Sequence, residues 1–190
     1  MYREGGNECA SNATAATDLT QSRYVDRRSS NANATEANGA YNYDAISNSA
    51  DLMLPSSYSE SWATPGPVVT TGGFANLLSY SSSFNTAHIA PMLGAIGQAW
   101  APGSSEPSTI WSDLAATEQA EYGAQSESGG EASYEEPGGT VVWYENDVSL
   151  RQRLQAISAS GYSWVGLYAL GAEPESFWDS PHLDSPSKKK

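Results

Sequence analysis

The sequence predicts an α/β fold in which parallel strands are joined by crossover helices. Three observations carry that prediction: short apolar runs bounded by turn residues recur from position 40 onward, segments with helical spacing lie between them, and the two kinds alternate. With 190 residues there is room for one domain with a real core, but not for two large ones.

Residues 1–38 are dominated by Ala, Ser, Asn, Thr and charged side chains and carry the basic cluster "RYVDRR" with almost no apolar periodicity. Such a composition buries little by itself. A polar arm is expected here, with room in "ATAATDLT" for one short strand. From Ala40 the texture changes. A helical turn is expected around Ala45 and Ile46, then a strand at Leu52-Met53-Leu54, whose short apolar run suits burial on both faces. "GFANLLSYSSS" sets Phe74, Leu77 and Leu78 at helical spacing, and "HIAPMLGAIGQAW" reads as a second buried strand ending in Gly97 and Trp100.

"SDLAATEQAEYG" reads as a helix with Ser112 as N-cap and Gly123 at its C-terminal end. "EASYEEPGGTVVWYE" reads as a hairpin turning at Pro137-Gly138-Gly139. In "NDVSLRQRLQAISASG", Leu150, Leu154 and Ile157 share a helical face, with Asp147 expected to cap and Gly161 to stop the helix. "WVGLYAL" is expected as the last buried strand.

Composition excludes several functions. A formal charge of -13 argues against nucleic acid and anionic lipid, because phosphate binding needs a concentrated basic face. All three lysines lie in the terminal "SPSKKK", so residues 181–190 read as a polar basic tail. The lone Cys9 excludes an internal disulfide, and His88 and His182 have no partner at metal-ligand or triad spacing. No metal and no cofactor are expected. No apolar run approaches the ~20 residues of a membrane span, and "MYREGGNECASNATAATD" has no signal-peptide core, so a soluble chain is expected without a compartment being assigned. The sequons at Asn12 and Asn33 fall in so Asn/Thr-rich a stretch that chance explains them.

"GAYNYDAISNSADLMLPSSYSESWATPGPV", "HIAPMLGAIGQAW" and "GGTVVWYENDVSLRQRLQAISASGYSWVGLYALGAEPESFW" follow one another in an order and spacing that resemble the C-terminal half of glycoside hydrolase family 18. The nearest flavour is its bacterial branch acting on spore cortex and peptidoglycan. The resemblance runs from about Gly39 to Trp178. It implies a partial (β/α)8 barrel of three to four βα units over residues 39–180, with a small α+β insertion at about 101–145. It also implies chemistry on β-linked N-acetylglucosamine polymers, in which the substrate's own acetamido group is the nucleophile.

The family's acid closes an Asp-x-Asp-x-Glu strand, and that motif does not occur in these 190 residues. Where the family shows Met-Thr-Tyr-Asp, this chain has Ser56-Ser57-Tyr58-Ser59. Tyr58 is kept, and Ser59 stands where the aspartate supports the acetamido group. Glu60 and Trp62 match an Asp-Glu-His-Trp continuation. Gln98 and Trp100 lie in the segment matching Pro-Leu-Tyr-Gly-Tyr-Asp-Trp, and Tyr168 stands for the tryptophan that floors the sugar site.

The resemblance therefore makes Tyr58, Ser59, Trp62, Gln98, Trp100 and Tyr168 the candidate sugar-binding residues. Taken alone, Trp62 and Trp178 read as packing. Glu60 is the candidate acid, set against the plainer role of a hydrogen-bonded loop carboxylate, while Glu145, Asp147, Glu173 and Glu175 read as capping and loop charges. The expected function is glycan binding without hydrolysis by the chain alone. Two alternatives stand beside it: a structural or assembly protein that reuses the scaffold, and a hydrolase completed by a partner chain. A half-barrel leaves sheet edges to be covered by the arm, by a second copy in a homo-oligomer, or by that partner.

Overall fold

The computed structural model describes residues 22–25, 42–58 and 60–179. The fold is α/β, as expected, and the described residues do not form a closed barrel. Its main body is a parallel array in the order β1 (Ser22–Val25), β2 (Leu52–Pro55), β3 (Met92–Gly94), β9 (Gly166–Tyr168). β1 and β2 pair from Ser22↔Leu52 to Val25↔Pro55, and β3 and β9 from Met92↔Gly166 to Gly94↔Tyr168. The two pairs are joined by the parallel bridges Met53↔Ile89 and Ser56↔Met92. The segment "ATAATDLT" lies outside the described residues, and the strand seen is the one that follows it, Ser22–Val25.

Crossovers put helices on one side of this array. α1 (Tyr43–Ser49) precedes β2, α2 (Thr71–Ser81) links β2 to β3, and α4 (Asp147–Ala159) leads to β9. α2 starts where the Thr70 hydroxyl accepts a hydrogen bond from Gly73 N, and it buries Phe74, Leu77 and Leu78, the three residues at helical spacing. α4 buries Leu150 and Ile157. Together with Met53, Val69, Ile89, Leu93 and Tyr162 these side chains form the main core, as apolar helix faces packed on a sheet must.

The run "HIAPMLGAIGQAW" is not one strand. Met92–Gly94 belongs to the parallel array, but after Ala95 the chain turns into β4 (Ile96–Trp100), an inner strand of an antiparallel sheet. That sheet has the order β5-β4-β8-β7-β6, with β5 (Ser108–Trp111), β6 (Ser126–Ser128), β7 (Glu131–Glu135) and β8 (Val141–Tyr144). The hinge is held from both sides, since Ala95 N donates to Tyr168 O and Ser112 N to Ala95 O. β4, ahead of residue 101, thus pairs with strands of the antiparallel sheet. α3 (Ser112–Tyr122) covers one face of it, packing Ala115 against Ala99, Ala132, Tyr134, Val142 and Tyr144.

Two caps differ from expectation by one residue. Ser112 is the first helical residue of α3, which follows Trp111 without a side-chain cap bond. Asn146, not Asp147, caps α4: its side chain accepts from Ser149 N, while Asp147 pairs with Arg151 one turn on at 2.5 Å. Gly123 and Gly161 adopt positive φ at the helix ends where they were expected. β9 is half-buried to exposed rather than buried, because only one of its edges is paired among the described residues.

Candidate functional site: an aromatic mouth at the strand ends

The C-terminal ends of β2, β3 and β9 bring two expected residues together. Tyr58, just beyond β2, stacks on Tyr168 with ring centroids 5.8 Å apart and planes 17° from parallel. The stack is possible because Gly94 lies opposite Tyr168 in register, and a Cβ there would sit 2.7 Å from Tyr58 Cδ1. Trp111 closes the cluster, its ring 6.0 Å from that of Tyr168 and tilted by 56°. Tyr168 remains 44% exposed and Trp111 42%, so the cluster presents open aromatic surface. The peptide bond between Tyr168 and Ala169 is cis.

Strand pairing decides what else faces the mouth. Ile96 pairs with Trp111, and Gln98 with Thr109 and Trp143. Paired residues share a face, opposite the Ala99 and Tyr144 face that packs on α3. Gln98 therefore lies between Ile96, whose partner Trp111 touches Tyr168, and Trp100, whose indole N–H donates to Trp62 O at 3.2 Å. Trp100 is buried beneath that loop, whereas the Trp62 side chain is more than half exposed. The Gln98 amide is buried, and its Oε1 has no hydrogen-bond partner among the described residues. Ser59 lies outside the described residues.

Glu60 holds the loop. Its N–H donates to Val68 O at 2.7 Å, and its carboxylate accepts from Thr70 N at 2.7 Å and from the Thr70 hydroxyl. This is the hydrogen-bonded loop role. His88 is exposed on a short 3-10 turn, and among the described residues no group of three or more His, Cys, Asp or Glu is placed to hold a metal ion. Glu173 accepts from the Trp178 indole at 2.6 Å and from Gly171 N at 2.7 Å. Burial pushes its carboxyl up, but these bonds, with those from its own and the Ala172 backbone N–H, outweigh it and leave it lowered.

Sequence reasoning missed Trp111 and a buried charged cluster. Trp111 sits at a strand-to-helix junction where no periodicity marks it. In the cluster, Glu131 and Glu145 share the guanidinium of Arg153, and all three are buried. Arg153 Nε donates to Glu145 Oε1 at 2.6 Å, and its Nη2 donates to Glu131 and to Val69 O. The Glu131 carboxylate also accepts from Val68 N at 2.6 Å and Val69 N at 3.0 Å. Burial, with the Glu145 charge adding to it, raises the Glu131 carboxyl to about 9 against the pull of Arg153 and the two amides. Burial likewise raises Glu145. Glu145 is thus no capping charge. Only the β7-β8 register, Ala132↔Tyr144, could have revealed the pair, and a register is not written in spacing.

Parallel strands with aromatic side chains at their C-terminal ends and an insertion sheet beside them define the class: part of a (β/α) barrel. No family model matches the chain. It is 30% identical over 149 residues to an uncharacterized glycosylase, YvbX, of Bacillus subtilis (strain 168), a match covering 73% of this chain and 43% of that protein. Among solved structures it resembles a chitinase from Chromobacterium violaceum ATCC 12472, with a TM-score of 0.72 and 27% identity over 83% of this chain and 53% of that one. The spore cortex-lytic enzyme SleL of Bacillus cereus gives a TM-score of 0.71 at 17% identity, over 83% and 40% of the two chains. The resemblance to family 18 chitinases and spore cortex-lytic enzymes therefore holds for about four-fifths of the chain. The chain spans less than half the length of the curated relative and about half that of the chitinase.

Proposed function

We propose that this chain binds N-acetylglucosamine-containing glycan, of the peptidoglycan or chitin kind, and does not hydrolyse it unaided. The observation that carries the reading is the stacked Tyr58–Tyr168 pair, joined by Trp111, at the strand ends where this class of fold places its sites. Amphipathic rings with open faces suit the apolar faces of sugar rings, and Gln98 supplies a buried amide on the sheet face that carries Trp111. Hydrolysis by the chain alone is disfavoured because Ser59 replaces the acetamido-supporting aspartate and no Asp-x-Asp-x-Glu strand occurs in the sequence. Glu60 is committed to Thr70.

The test is a tryptophan fluorescence titration with N-acetylglucosamine oligomers, alongside product analysis. A saturable change is expected, weakened about tenfold by Tyr168→Ala, the equivalent of one lost stacking contact of about 1.4 kcal/mol. A flat titration overturns the binding reading, and robust turnover overturns its non-hydrolytic part.

A second reading has its own support. One edge of β9 is unpaired among the described residues, and Trp164, Val165 and Leu170 around it are exposed, Leu170 by 78%. Apolar surface beside an open strand edge favours completion by another polypeptide, whether a second copy or a partner carrying further βα units, and with a partner an assembled hydrolase. Light scattering of the purified chain decides this: a discrete oligomer supports association with itself, and a monomer restricts the reading to a separate partner.

A further inference from the structure

The buried cluster does more than fill space, because each of its members reaches a different part of the molecule. Glu131 comes from β7 of the insertion, Glu145 follows β8, and Arg153 comes from α4 of the main body. What they grip is the backbone between Trp62 and α2: two amides, Val68 N and Val69 N, and one carbonyl, Val69 O. The same short stretch then holds the mouth. Val68 O accepts from Glu60 N, and the Thr70 N–H and hydroxyl bind the Glu60 carboxylate, two residues from Tyr58 and from Trp62. The hydrogen-bond path from Arg153 to the loop bearing the aromatic side chains is therefore continuous.

We propose that Glu131, clamped by Arg153 and paired with Glu145, is the positioning residue for the 60–70 loop, so that the insertion and α4 jointly set the aperture of the mouth. The inference uses the glycan reading only for what the mouth is for; the latch itself stands on the cluster's geometry. Two carboxylates face one guanidinium in a buried site, so the cluster is balanced when the carboxyls share one proton. The groups facing the pair are Arg153 from α4, the Val68 and Val69 amides, and the Ser149 hydroxyl; Glu60, the next carboxylate along the loop, is taken up by Thr70. Loss of the shared proton leaves two buried anions on one cation, and repulsion acts on the carboxylate that holds the loop.

The test follows the methyl resonances of Val68 and Val69, both buried at the latch, from pH 6 to pH 10.5. A common transition with midpoint near 9 is expected in the wild type and absent in Glu131→Gln, where the amide has one acceptor oxygen for two backbone donors. Affinity for an N-acetylglucosamine oligomer should fall at least threefold across the same transition, and lie at the weakened level at every pH in the variant. Should Glu131→Gln not fold, Arg153→Lys replaces it: the fork is lost, the pair holds its proton more tightly, and the midpoint moves upward.

Methyl shifts that show no transition, or that track those of Leu77 and Ile157 in the core, overturn the latch. So does a Glu131→Gln variant that titrates like the wild type. If the wild type binds no glycan at any pH, the binding reading fails, and the methyl titration still decides the latch.

Discussion

At the scale of single residues, the mouth depends on what is missing at Gly94 and on what is unmet at Gln98. A methyl at position 94 would press into the Tyr58 ring from the strand beneath it and would also lie 3.1 Å from Tyr58 Cβ, so turning the ring alone does not relieve the contact. Gly94→Ala should therefore cost about 1–3 kcal/mol in urea unfolding and weaken the near-UV circular dichroism of the stacked tyrosines. Gln98 is the opposite case. A buried acceptor without a partner is a cost of about 1–3 kcal/mol, so Gln98→Leu should leave the melting temperature unchanged or raise it. If the amide serves the sugar, the same substitution lowers glycan affinity. A residue whose removal stabilises the fold and weakens binding is held there by function; one whose removal only destabilises is packing. Neither property was legible in the sequence, where Gly94 is one glycine of many and Gln98 merely fills a position at which the family shows a tyrosine.

At the scale of elements, the helices were legible and the strands only partly so. Helical periodicity is written locally, which is why Phe74, Leu77 and Leu78 marked α2, and Leu150 and Ile157 marked α4. The hairpin was legible for the same reason, its turn being coded by Gly138 and Gly139 between β7 and β8. The break at Ala95 was not. Residues 91–100 are buried throughout, so the pattern is a continuous apolar run, and the change from parallel to antiparallel partners depends on strands more than ten residues away in either direction. Caps slipped by one because Asn146 and Asp147 are both competent and only geometry selects between them. That selection is measurable. Asn146→Ala should destabilise by about 1 kcal/mol, whereas Asp147→Ala, losing a partly exposed pair with Arg151, should cost no more than about 0.5 kcal/mol, both read from urea midpoints.

At the scale of the whole molecule, the family resemblance made the architecture legible, while the buried charges that tie its two parts together were invisible until the chain was folded. Glu131, Glu145 and Arg153 lie far enough apart in sequence to look like ordinary surface charges, and their burial has a consequence for the molecule's pH response. A carboxyl raised from 4.5 to about 9 binds its proton in the folded state and releases it in the unfolded state above pH 4.5. The stability this contributes is complete below pH 4.5 and is lost progressively as pH rises toward 9; Glu145, also raised, acts in the same direction. Glu173 acts oppositely, since its lowered carboxyl contributes stability above the ordinary glutamate range that is lost as pH falls. Urea midpoints should thus be highest in the mildly acidic range and decline steadily to pH 9. Glu131→Gln, having no proton to lose, should flatten the alkaline decline, and an unchanged slope in that variant would place the pH sensitivity elsewhere in the molecule.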